Sequence, residues 1–416
     1  MARERARPRK SHVRRPEDRR RRPVPLGAVL VFGLVAFGLL TVLRPSGEGA
    51  GREPLGPSGG VVTATRKPVP PPPPGHEVYG YVPYWEMDDG IAGHLAATDL
   101  TTLALFSVTH RPDGELDTGT AGFGRLEGGV GRRLLNEAHE RGTRVELVYT
   151  AFGEERNRPF FSDRAAQDRW IAVLAEFATE RGFDGVNVDV EGLPLDLVPA
   201  YGGFVGRLRE ALTARNADAQ VSVATGASHL GAAMAAVAAS AGADRIFLMG
   251  YDYRTASTEP GATAPLDRTD GGEKDLAWSL DLYASLGVPP ERTILGLPLY
   301  GVTWPVLGPD FGAMATGRGD SWVPRRHLGL FENPEFEATF DETESVEFHV
   351  AGRKGAWTAI YYDSPRSLAP KLALADERGL AGAGFWAIGY ERGLPAYTQL
   401  ITAFREGRLA AVGGSR

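Results

Sequence analysis

Residues 183–191 read FDGVNVDVE. Val186, Val188 and Val190 alternate with Asn187, Asp189 and Glu191. Side chains alternate faces along a β-strand, so the valines share one face while Gly185, Asn187, Asp189 and Glu191 share the other, with neighbours on a face about 6.6 Å apart. A buried ionised carboxylate is costly unless it is paired, and two held close together do not both ionise easily. The expected result is one shared or shuttled proton, with the Glu191 carboxyl raised. A carboxyl still protonated near neutral pH is a general acid. The competing reading of the strand is a structural polar network that plugs the interior of the fold.

Such a face must be positioned by a larger frame. From Val78 onward, strand-like runs at 78–85, 101–109, 144–152, 185–191, 220–228, 245–252, 293–301 and 382–389 alternate with helical stretches. The helices are expected near 128–141, 164–181, 196–215, 229–242, 273–287, 365–378 and 395–407. Continuous apolar strands separated by helices indicate a parallel sheet covered by helices. Eight such units predict an α/β fold, a (β/α)8 TIM barrel, rather than an open doubly wound sheet. An open sheet would want a Gly-rich phosphate turn after its first strand, and GYVPYWEMDDG is nothing like one. The connection before the last strand is too long for a plain crossover. It predicts a small α+β insertion over about 304–362, with antiparallel strands and turns at Asp341 and at Gly352/Gly355. In the barrel the valines pack against helices, the polar set points inward, and Glu191 sits at the carboxyl end, where barrel loops build active sites.

With the motifs in this order the chain resembles glycoside hydrolase family 18, the chitinase family. DGVNVDVE resembles its D-G-x-D-x-D-x-E signature, GYVPYW its opening strand, LMGYD (248–252) its M-x-Y-D motif, and LGLPLYGVTW (295–304) its GLPFYGRSW strand. GFWAIGY (384–390) falls where the family carries a tryptophan-bearing last strand. The resemblance covers residues 77–405 and is strongest to the branch that includes spore-cortex and peptidoglycan-associated N-acetylglucosaminidases. It implies a retaining hydrolase in which the substrate's own N-acetyl carbonyl attacks the anomeric carbon, an exception to the two-carboxylate rule. It also implies roles. Glu191 protonates the glycosidic oxygen and later activates water. Asp189 orients the acetamido nitrogen, and Tyr251 donates to the acetamido carbonyl. Asp252 hydrogen-bonds the sugar, Trp386 forms the floor under it, and Tyr81 and Met249 line the same pocket. Asn187, counted with the substrate-binding set, replaces the family's middle Asp. An amide there can hydrogen-bond Asp189 but cannot share a proton in the same way, so the acid limb of the pH–rate profile is expected to differ. The family's S-x-G-G strand is also missing, since the third strand runs ELVYTAFG.

Composition narrows the remaining choices. Residues 1–23 carry a net charge of +8 in a chain whose total is −6, so the remainder is −14 and nucleic acid is not an expected partner. The absence of cysteine rules out disulfides, thiolate metal sites and cysteine nucleophiles. No metalloprotease, phosphate-loop or serine-elbow motif is present, and no metal or organic cofactor is implied. Residues 24–43 form an uncharged apolar run of a length that spans roughly 30 Å as a helix. Arg19 to Arg22 precede it, which predicts a cytoplasmic basic tail (1–23), a single transmembrane anchor (24–43) and a Gly/Pro-rich linker (44–75). A cleavable signal peptide is the alternative. The expectation is therefore a membrane-tethered, extracytoplasmic hydrolase of N-acetylated polysaccharide, wall glycan ahead of chitin. The alternative from another class is a non-catalytic glycan-binding protein on the same fold.

Overall fold

The computed structural model describes residues 75–409. The predicted basic tail and anchor, and all but the last residue of the linker, lie outside the described residues. Among the described residues no helix is long and apolar enough to cross a membrane.

The first seven strands are β1 (Glu77–Pro83), β2 (Thr102–Val108), β3 (Arg144–Phe152), β4 (Gly185–Glu191), β5 (Gln220–Gly226), β6 (Arg245–Met249) and β7 (Thr293–Pro298). A second group follows: β8 (Gly301–Val306), β9 (Asp320–Trp322), β10 (Thr339–Asp341), β11 (Val346–Arg353) and β12 (Ala356–Tyr362). The last strand is β13 (Gly382–Trp386). Strands β1 to β7 and β13 close into a parallel barrel, with β13 seated between β7 and β1. All eight carboxyl ends therefore open on one side, where a site can form.

Several of the helices have starts that are marked chemically. Asp163, Ser228 and Asp275 accept hydrogen bonds from backbone N–H groups three residues on, at 3.0, 3.1 and 2.8 Å. Ser364 and Ser367 form a reciprocal capping box at the start of Pro365–Glu377. Helix Arg164–Arg181 ends at Gly182, whose φ of 81° is the left-handed stop that glycine adopts without strain. Short helices at Ile91–Ala96, Ala121–Glu127, Glu154–Ser162 and Leu328–Phe331 were not expected from the sequence. They are too short, or too polar, to show a readable periodicity.

Two apolar layers sandwich the barrel wall. Val186, Val188 and Val190 pack outward with the helix faces. Tyr79, Tyr81, Phe106, Val148 and Phe247 fill the interior with neighbours from other strands. Phe247 lies inside because β7 and β13 present glycine to it. A Cβ on Gly296 or Gly384 would stand 2.3 or 2.5 Å from its ring.

Two expected boundaries are corrected. The run at 293–301 is not one strand. It breaks at Leu299 and Tyr300, and Gly301 starts β8, so the inserted sheet begins at Gly301 rather than near 304. That lobe is a five-stranded antiparallel sheet in the order β10-β11-β12-β8-β9, built around Trp304, Tyr361 and Phe348. Strand β6 stops at Met249 rather than 252. There the Gly250 N–H turns to the carbonyls of Leu248 and Gly296, at 2.8 and 3.0 Å, so Tyr251 and Asp252 lie on the turn beyond the strand.

Candidate active site

Period-two alternation places Asp189 and Glu191 on the inward face of β4, with Asp189 one tier below the mouth. Asp189 is 5% exposed, and Glu191 opens to solvent at the strand end. The Glu191 main chain is held from β3 and the helix after it. The Gly153 N–H donates to the Glu191 carbonyl at 2.9 Å and Asn157 Nδ2 donates to it at 2.6 Å. Asp184, the first acid of the motif, faces elsewhere. It accepts from the Val145 N–H at 2.8 Å and contacts His139 at 2.8 Å, pinning β3 to β4 at the closed end.

The carboxyl ends of β6 and β13 complete the set. Met249 ends β6, Tyr251 follows it half-buried, and Asp252 has a φ of 62°, which aims its side chain off the strand line. The Tyr300 hydroxyl donates to Asp252 Oδ1 at 2.5 Å and its ring meets Tyr251 edge-on at 6.2 Å. Trp386 closes β13 and packs on Tyr81 at 5.6 Å, Phe106 at 5.1 Å and Trp85 at 6.2 Å between ring centres. Phe106 in turn stacks on Phe152 at 6.4 Å, and Phe152, in register with Glu191, is 43% exposed.

Two members of the expected substrate-contacting set are displaced. Asn187 has no exposed surface and lies one tier beneath Asp189, with Nδ2 donating to Ser222 Oγ at 2.7 Å. Tyr81 is 1% exposed and lies under Trp386, its hydroxyl near Tyr79 and Asn187 without a well-formed hydrogen bond to either. Both support the site from below: Asn187 is the third inward side chain from the mouth on β4, and Tyr81 packs against the Trp386 ring. Trp85, Phe152 and Tyr300 were missed. All three lie inside stretches already quoted, GYVPYW, ELVYTAFG and LGLPLYGVTW, and an aromatic at a strand end was the available signal. Nothing in the local sequence marked Asn157.

Charge is distributed to favour proton transfer. Incomplete hydration raises the Glu191 carboxyl to about 7, and the Asp252 charge adds to the shift. Asp189 is pushed well above the carboxylate range by burial and then by Glu191. Asp252 is raised by burial, opposed by its bond from Tyr300. Burial also pushes the Tyr251 phenol up, so it remains a donor. A carboxyl raised to about 7, a second carboxyl, a phenol and an indole thus converge at one mouth.

Known proteins resemble this arrangement along most of the barrel. The profile of glycosyl hydrolases family 18 matches residues 77–391. The di-N-acetylchitobiase of Rattus norvegicus is 25% identical over 292 residues, covering 65% of this chain and 75% of the rat protein. The cortical fragment-lytic enzyme of Bacillus subtilis is 23% identical over 251 residues, covering 59% of this chain and 56% of that protein. In several relatives the matched part is less than two thirds of their own length. A family 18 N-acetylglucosaminidase from Paenibacillus barengoltzii superposes with a TM-score of 0.66 at 20% identity, over 79% of this chain and 99% of that one. The profile match spans nearly the whole barrel and its lobe, and the chain belongs to glycosyl hydrolases family 18 and is a glycosidase.

Proposed function

We propose that this glycosidase cleaves β-1,4-linked N-acetylglucosamine-containing glycans with retention, using the substrate's acetamido group as the nucleophile and Glu191 as general acid and base. The observation that carries the reading is the Asp189–Glu191 pair on one face of β4, with Glu191 at about 7 and open to the mouth. Glu191 gives its proton to the glycosidic oxygen. Asp189 accepts from the acetamido N–H and stabilises the positive charge that develops there. Tyr251 donates to the acetamido oxygen, which fixes its approach to the anomeric carbon. Trp386 supports the apolar face of the sugar. Wall glycan is placed ahead of chitin, because we also propose that residues 24–43 anchor the enzyme beside the cell's own wall.

Turnover of N-acetylglucosamine oligomers by the purified protein, compared with Glu191→Gln, tests the chemistry. The variant is expected to lose at least about 100-fold in kcat while still binding the oligomer. Binding without turnover in both proteins overturns the reading. A digest of purified peptidoglycan with analysis of the product ends separates wall glycan from chitin. Recovery of the full chain in the membrane pellet supports the anchor, and recovery only in the medium rejects it.

A further inference from the structure

Asn157 is a polar side chain with no exposed surface. It lies on helix Glu154–Ser162, which begins where β3 ends. The Arg156 and Asn157 N–H groups both donate to the Gly153 carbonyl, at 3.2 and 3.0 Å. The stretch ELVYTAFG, in which the third strand departs from the family pattern, ends at this same Gly153. The helix is fixed at both ends. Arg156 Nη1 donates to Thr109 Oγ1 at 2.7 Å and to the His110 carbonyl at 3.0 Å, just beyond β2. At the far end the Phe160 ring stacks on His110 at 3.9 Å, and Gln167 Nε2 donates to the Phe160 and Phe161 carbonyls at 3.2 and 3.0 Å. From this base Asn157 Nδ2 reaches the Glu191 carbonyl at 2.6 Å. A carbonyl only accepts, so the amide must present its NH2 there and its oxygen the other way. That oxygen, Oδ1, is buried without a hydrogen-bond partner among the described residues.

The Glu191 carbonyl does not need Asn157 to be satisfied. The Gly153 N–H already donates to it at 2.9 Å, as the last rung between β3 and β4. A buried acceptor left unpaired lowers stability, and a leucine of similar size would not carry that oxygen. Packing alone therefore disfavours asparagine here, and what the side chain supplies is a second, fixed donor on the carbonyl that ends the strand. The chain leaves that carbonyl abruptly. Gly192 has a φ of 69°, and a Cβ on it would stand 3.2 Å from Gly153 Cα. We propose that Asn157 is a positioning residue for Glu191, holding the last carbonyl of β4 from helix Glu154–Ser162 and so fixing the depth at which the Glu191 carboxyl stands in the mouth. The inference rests on Glu191 being the general acid. Asp189 on β4, and Tyr251 and Asp252 on the turn after β6, are the titratable groups that act on Glu191. A strand end that drifts toward solvent hydrates the carboxyl and takes it away from Asp252, and both changes lower it toward the ordinary carboxyl range.

Asn157→Leu keeps the volume, removes the donor and removes the unpaired oxygen. Its melting temperature is expected to hold or rise, while kcat on an N-acetylglucosamine oligomer falls about tenfold and KM stays within about twofold. Because the general acid must be protonated, the alkaline limb of kcat/KM should also move to lower pH, by about half a unit. Asn157→Ala removes the donor without adding methyl groups and should show the same loss of kcat and the same shift of the limb. A merely structural asparagine would lower the melting temperature and leave the limb in place. Wild-type kcat or an unmoved limb in either variant overturns the proposal, as does failure of both variants to fold. The two readings fail separately. Turnover that survives Glu191→Gln strikes at the general acid, whereas wild-type kcat in Asn157→Leu beside an inactive Glu191→Gln strikes at Asn157 alone.

Discussion

Tyr300 and Asp252 are joined by a hydrogen bond of 2.5 Å that ties the end of β7 to the turn after β6. The bond holds the Asp252 carboxyl below where burial alone would put it, and the Asp252 charge in turn helps raise Glu191. Tyr300→Phe removes the donor. Asp252 then keeps its proton to higher pH, carries less charge near neutrality and raises Glu191 less. Since the general acid must be protonated, the alkaline limb of kcat/KM is expected to move to lower pH by a fraction of about one unit. A limb that holds still or moves upward contradicts the coupling.

Phe152 is an exposed ring in register with Glu191, stacked on Phe106. If it carries a second sugar unit, Phe152→Ala removes a stacking contact of about 1 kcal/mol, so KM on an oligomer rises roughly fivefold while kcat stays within about twofold. The melting temperature should not change, because the ring is half outside. Equal loss of kcat and stability would show that the ring is structural.

The lobe is fastened to the barrel through a buried ion pair. Arg254 donates to both Glu344 oxygens at 2.7 and 2.8 Å, and Glu344, with no exposed surface, also accepts from the Ala262 N–H at 2.9 Å and the Thr269 hydroxyl at 2.7 Å. Arg254→Met leaves that anion without its cation. The expected cost is about 3–5 kcal/mol, read by denaturant unfolding. A loss below about 1 kcal/mol would mean that the backbone and hydroxyl donors alone satisfy Glu344.

Asn187→Asp restores the acid of the family motif but adds a third carboxyl to the interior of β3 and β4. Burial and its two acidic neighbours raise its folded-state value above its unfolded one. The folded protein then holds the extra proton more tightly, so the variant comes nearest wild-type stability below about pH 4 and loses ground as pH rises through the folded value. The gap should reach on the order of 2 kcal/mol by neutral pH, followed as melting temperature against pH. A gap that does not change with pH excludes a buried titrating group at 187.

Much of this protein is legible from its chain. Alternation along 185–191 separates the valine face from the carboxyl face, because strand geometry leaves only two faces. Apolar runs spaced by helices indicate a parallel sheet covered by helices, and eight such units without a Gly-rich turn after the first strand favour closing it into a barrel. The lobe and the order of the motifs are legible for the same reason. Other features depend on which strands become neighbours, and at what register. Glu146, Asn187 and Ser222 are 35 to 76 residues apart and meet only because β3, β4 and β5 lie side by side. Tyr300 meets Asp252 only because β7 breaks after Pro298 and β6 ends at Met249. Asn187 and Tyr81 read from the sequence as groups that touch substrate, and the closed barrel buries both beneath the groups that face it. Local periodicity tells which way a side chain points, but what it meets there is decided by the packing of strands distant in sequence.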